Sequence, residues 1–172
     1  MAQNPNERFD VVDEHDVVLR QETRAQVHAL KLFHRAVHIL VFNPAGELYL
    51  QKRSLTKDSC PGRWTTSCSG HVDAGENYDQ ATRRELGEEL GIHLPEDHHP
   101  QLLYKHGPCR ETGYEFIQVY HLEWSGSITP DPMEIAEGRF VSEAELSRWL
   151  KQRPRDFAGS FRLVWREYLA RR

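Results

Sequence analysis

The run GHVDAGENYDQATRRELGEELGI, residues 70–92, constrains this chain more than any other stretch. It joins a turn, a carboxylate-rich helix and a helix stop. From Tyr78 to Leu90 there is no proline, and Thr82 is the one β-branched residue, so a helix is predicted there. Asn77 is the expected N-cap, and Gly91 stands where helices break. At about 100° per residue, Glu85, Glu88 and Glu89 fall on one arc, with Leu86 and Leu90 beside it to anchor the helix to a core. Like charges at that spacing repel, and a cation with a preference for hard oxygen ligands, such as Mg²⁺, would reverse the sign. A solvated acidic face is the ordinary fate of such a run. The flanking residues decide between the two.

Gly70 is followed after five residues by Glu76, and after seven more by Arg84-Glu85-Leu86-Gly87-Glu88-Glu89-Leu90-Gly91-Ile92. At every specified position this pattern resembles the signature of the Nudix family. The resemblance implies an α/β fold, an α/β/α sandwich with a mixed sheet in which the signature forms a loop–helix–loop. It implies water substitution at phosphorus in a diphosphate linked to another moiety, assisted by Mg²⁺ or Mn²⁺. Carried over position by position, Glu85, Glu88 and Glu89 would be carboxylate ligands to metal and the Gly70 carbonyl a further one. Glu88 and Glu89 would then belong to the catalytic set, and Glu76 and Arg84 would pair to hold the loop against the helix.

The rest of the chain is compatible with that class. Its 172 residues suit one domain, with 1–30 as an N-terminal hairpin and linker and 31–172 as the catalytic core. No apolar run reaches the ~20 residues of a membrane span. Residues 1–10 lack the basic-then-apolar plan of a secretory leader, so a cytoplasmic protein is expected. Cys60, Cys68 and Cys109 form no paired metal spacing and are expected as reduced thiols. The net charge of −4 argues against a nucleic-acid polymer as partner. A small-molecule diphosphate is the expected substrate, and a homodimer is compatible with the sequence.

In chain order, residues 9–20 place two β-branched runs around Asp13-Glu14-His15-Asp16 and read as a hairpin. Residues 23–32 read as a helix capped by Thr23. Segments 36–43 and 47–53 are strands joined by the Pro44-Ala45-Gly46 turn. A loop ending in Cys60-Pro61-Gly62 leads to one strand over 63–68, with Trp64 in the core. Segments 102–106, 114–124 and 134–141 are further strands. Ser142 to Glu145 is a capping box opening a helix through Leu150, and 161–169 form an amphipathic C-terminal helix. His98-His99 lie in a solvated connector, and the terminal Arg171-Arg172 pair is read as surface.

Two assignments lie outside the signature. Lys52-Arg53, at a strand end, resemble a basic pair of other family members and are the substrate-phosphate candidates. For a general base, Glu115, Glu134 and Glu137 are candidates, with Glu137 favoured because 134–141 resembles a late family stretch whose glutamate reaches the site.

Residues 32–92 are also similar to isopentenyl-diphosphate isomerase, a Nudix-fold enzyme that moves a double bond. His34, Val41-Phe42-Asn43, Arg53, Pro61-Gly62, Trp64-Thr65 and Gly70-His71 carry that likeness. Of the isomerase metal ligands, His34, His71 and Glu115 match, His28 is offset, and Gly113 stands where a second glutamate is expected. The isomerase acid, a cysteine before the Gly-His pair, is here Ser69, with Cys68 one residue early and on the other face of a strand. A hydroxyl is a far weaker acid than a thiol. The complete signature therefore favours hydrolysis over isomerisation, and over a Nudix-fold binding module without turnover. Trp64, Tyr114 and Trp124 are base-stacking candidates that core packing explains as well.

Overall fold

A computed structural model describes residues 4–172, so the first three residues of the stretch read for a leader lie outside the described residues. Strands β1 (Arg8–Val12) and β2 (Val18–Thr23) form an antiparallel hairpin, followed by α1 (Arg24–Leu30). Thr23 caps α1 by accepting the Gln26 N–H at 3.4 Å. The helix stops earlier than the 23–32 expected, because Lys31 adopts a left-handed conformation with φ 54°.

The main sheet contains β3 (His34–Phe42), β4 (Leu48–Arg53), β5 (Trp64–Thr65), β6 (Cys68–His71), β7 (Gln101–His106), β8 (Glu115–Glu123) and β9 (Ile135–Val141). Its order is β5-β4-β3-β8-β7, with β6 paired to β3 and β9 to β4. β3 runs parallel to β8 and antiparallel to β4 and β6, so the sheet is mixed as expected. Helices α2 (Tyr78–Leu90), α3 (Glu143–Gln152) and α4 (Gly159–Ala170) complete the chain.

The single strand expected over 63–68 is two strands. β5 pairs with β4 whereas β6 pairs with β3, and the chain crosses between them at Thr66-Ser67. The buried Ser67 hydroxyl bridges that crossing, donating to the Tyr49 carbonyl at 2.5 Å and accepting from the Val41 N–H at 2.8 Å.

β3 is buried on both faces, and its alternation defines two cores. Ala36, Leu40 and Phe42 join Trp64, Leu146, Phe157, Phe161 and Val164 beneath α3 and α4. Val37, Ile39 and Val41 join Leu86, Leu90, Ile92 and Tyr120 beneath α2. Each buried Val, Leu, Ile or Phe among them contributes about 1.5–3 kcal/mol of apolar burial, which makes the sheet the rigid plate on which α2 is held. A third cluster of Phe9, Val11 and Val27 docks the hairpin and α1 near the start of β3.

Candidate active site

Helix α2 is fixed at both ends. Asn77 and Gln80 form a reciprocal capping box with both bonds at 2.9 Å, and Gly91, at φ 64°, closes the C-terminus. Glu85 and Glu89, one turn apart, both turn toward β6. The register of β6 on β3, Val37 opposite Gly70, puts Gly70 directly beneath Glu85. A Cβ at Gly70 would come within 2.0 Å of the Glu85 carboxyl, so only glycine admits this approach.

Glu89 is buried and accepts from Gln51 Nε2 at 2.8 Å and from the Ser69 N–H at 3.2 Å. Burial and the Glu89 charge push the Glu85 carboxyl up to about 8. Burial likewise raises Glu89, partly offset by the Lys57 charge and the Gln51 bond. Two adjacent buried carboxylates that resist ionisation, with a glycine cradle below, are the donor set a hard divalent cation fits.

Arg84 ties this group together. Its guanidinium donates to Glu76 at 3.0 and 2.8 Å, to Glu85 at 2.6 Å, to Glu88 at 3.3 Å and to the His71 carbonyl at 2.9 Å. Glu76 also accepts the Asp73 N–H at 3.1 Å, which closes the loop ahead of α2 onto the helix.

The three glutamates on one arc do not gather at one point. Among the described residues, the group of three with ligand atoms mutually within 4.8 Å is His28, His34 and His71. Glu88 stays exposed beside Arg84, as like-charge repulsion dictates.

Strand alternation separates other expected partners. Gln51 reaches Glu89, so Lys52 points to the opposite face, 3.7 Å from Glu137 and 5.9 Å from the Trp64 ring. Lys52 and Glu137 therefore do not join the carboxylates of α2. The physical reason is register, because Lys52 and Glu137 are direct cross-strand partners and share that far face. Arg53, opposite Ile135 across a register shift, holds the following loop through Ser59, its Nε 2.8 Å from the carbonyl, and its charge reaches His38. Glu134 pairs with Lys57, and the charges of both bear on Glu89. Trp64, 6% exposed, is core as expected, and the indole of Trp124 packs on the α2 side.

Sequence reading missed Gln51 and Lys57. Period two from Arg53 would have found Gln51, but Lys57 lies in a loop that carries no periodic signal.

A second constellation lies at the start of β3. His34 and Glu115 are register partners, His71 sits at the end of β6, and α1 swings His28 over them, so the sequence offset of His28 is removed in space. Glu115 Oε1 lies 3.1 Å from His71 Nε2 and 3.5 Å from His34 Nε2. His34 Nε2 is buried without a hydrogen bond. Burial holds His71 near 4 and also lowers His28. Burial opposes ionisation of Glu115, but the His71 hydrogen bond, the close approach of His34 and the charges of both imidazoles outweigh it and hold the carboxyl below the usual range. Phe9 stacks on His71 at 4.5 Å, and Arg24 lies 3.1 Å from His71 Nδ1. Three imidazoles and a carboxylate also suit a divalent transition metal.

A mixed sheet between helices, with a carboxylate helix over a glycine at a strand end, defines a Nudix fold. The model of the NUDIX domain matches residues 32–161, and the chain belongs to the Nudix family. An uncharacterised Nudix hydrolase of Yersinia pestis is 39% identical over 86% of this chain and 81% of its own. An isopentenyl-diphosphate Delta-isomerase of Burkholderia multivorans is 32% identical over 88% of this chain and 86% of its own. The crystal structure of DR0079 from Deinococcus radiodurans superposes with a TM-score of 0.73 at 28% identity, covering 85% of this chain and 90% of that one. No helix among the described residues is long and apolar enough to cross a membrane.

Proposed function

We propose that this protein is a metal-dependent hydrolase that cleaves a diphosphate linkage in a nucleoside diphosphate derivative or a related organic diphosphate. The observation that carries this reading is the buried Glu85–Glu89 pair above Gly70, with Arg84 clamping the loop and helix of an intact signature. Glu85, Glu89 and the Gly70 carbonyl would hold Mg²⁺ or Mn²⁺, with Glu88 at the solvent edge. When bound, such an ion neutralises phosphate oxygens and lowers the pKa of coordinated water.

The protein's own residues orient and charge the site. Gln51 and the Ser69 N–H fix one oxygen of Glu89. Arg53 and Lys57, from the strand end and the loop that follows it, supply the positive charge for a substrate phosphate. Of the carboxylates considered for the general base, Glu137 lies on the far face, so Glu134, beside Lys57 and Glu89, takes that assignment.

The His28–His34–His71–Glu115 group favours a second reading, isopentenyl-diphosphate isomerisation. Its acid is the weak point. Cys68 is fully buried, and burial together with Glu89 and Glu85 pushes its thiol well up, while Ser69 offers only a hydroxyl.

The test is a Mg²⁺ and Mn²⁺ screen of nucleoside and prenyl diphosphates beside an assay for dimethylallyl diphosphate formation. Metal-dependent release of phosphate products, lost in the Glu88→Gln and Glu89→Gln variants that still fold, is the expected result. Double-bond migration without phosphate release, or full turnover in either variant, refutes it.

A further inference from the structure

On the sheet face away from α2, a groove of about 550 Å³ runs between β9 and α3, lined by Arg139, Glu145, Arg148, Trp149, Gln152 and Arg153. Three guanidiniums face a single carboxylate there, in a chain whose net charge is −4. Arg139 stacks 4.5 Å from the Trp149 ring and 5.4 Å from the Trp64 ring, and lies 3.8 Å from Glu145. Trp149 is itself pinned, its Nε1 donating to Asp156 at 2.8 Å. Arg148 and Arg153 are exposed and have no carboxylate at ion-pair distance among the described residues.

Complementing the α3 macrodipole does not explain this cluster. Lys151 already occupies the last turn, and Arg139 comes from a strand. Guanidiniums on a rigid aromatic floor suit bidentate phosphate recognition, and the volume lies in the range of small-molecule sites. Three arginines exceed what a single phosphate monoester needs.

We propose that this groove is a second anion site, separate from the carboxylate centre, that binds a small polyphosphorylated molecule. Arg148 and Arg153 supply the mobile charge, and Arg139, fixed against Trp149, sets the orientation.

The test is calorimetric titration of inorganic triphosphate into the whole chain with EDTA present, so that no metal-bridged anion forms at the carboxylates. Saturable binding is expected, weakened at least tenfold in Arg148→Glu/Arg153→Glu and by less in Arg148→Gln/Arg153→Gln. The Arg53→Gln/Lys57→Gln variant should bind as the wild type does. All four arginine substitutions are at exposed positions, and circular dichroism melts should overlay that of the wild type.

Absence of saturable binding at millimolar triphosphate overturns the proposal. So does affinity that follows Arg53 and Lys57 instead of the groove arginines. Tenfold tighter binding of a single-stranded oligonucleotide, steeply salt-dependent and sensitive to the same arginines, would assign the surface to a polymer and also overturn it.

Discussion

Replacing Arg84 by Met keeps the aliphatic stem and removes the charge that joins Glu76, Glu85, Glu88 and the His71 carbonyl. Glu88 is mostly exposed and contributes little. Glu76, with its side chain 16% exposed, loses its cation in a desolvated setting, and Glu85, 12% exposed, does so where it is ionised, above about pH 8. Breaking a buried pair by removing one partner costs about 3–5 kcal/mol. For a domain of this size, at roughly 2–4 °C per kcal/mol, the melting temperature should fall by about 6–20 °C.

The pH dependence gives a sharper check. Glu85 is an acid with a folded-state pKa raised to about 8, so its contribution is full below the unfolded value near 4.5 and is lost as pH rises to 8. Arg84 lowers the Glu85 pKa, so the Met variant carries a still higher one. The two stability curves should run parallel below pH 8 and diverge above it, by about 1.4 kcal/mol for each pH unit that separates the Glu85 midpoint of the variant from that of the wild type. Urea denaturation between pH 6 and 9.5 measures this. A variant within 0.5 kcal/mol of wild type, or curves parallel throughout, refutes the clamp.

His38, buried with Nδ1 3.1 Å from Thr66 Oγ1, has its pKa lowered by burial to about 4. Its contribution is present above pH 6.5 and lost as pH falls to 4, about 3 kcal/mol in all; in a denaturation series the His38→Asn variant should lack that slope. Gly70→Ala forces a methyl into the Glu85 carboxyl and should cost about 1–3 kcal/mol. The same variant should raise the Mn²⁺ concentration needed for half-maximal activity. Gln51→Leu leaves Glu89 and the Ser67 carbonyl short of a donor and should cost about 1–3 kcal/mol by chemical denaturation. Unchanged stability would show that solvent replaces the amide.

The α2 segment was legible because its determinants are local. Asn77, the intact 78–90 run and Gly91 specify a helix by propensity and capping, and the glutamate spacing places carboxylates by helical period alone. The hairpins were legible from turn residues. The β5–β6 break was not, because it depends on which strand each residue pairs with, and Thr66 and Ser67 look strand-like in isolation.

The sequence by itself determined the family, the helix and the residues of its clamp, since each rests on short-range spacing or on a matched signature. Tertiary structure alone decided three things. It turned Lys52 and Glu137 to the far face through a shared cross-strand register. It laid Gln51 and Lys57 beside Glu89 from a strand and a loop that only the sheet brings together. It carried His28 on α1 to His34 and His71, which lie well apart in the chain, because contacts across elements depend on packing that no local pattern encodes.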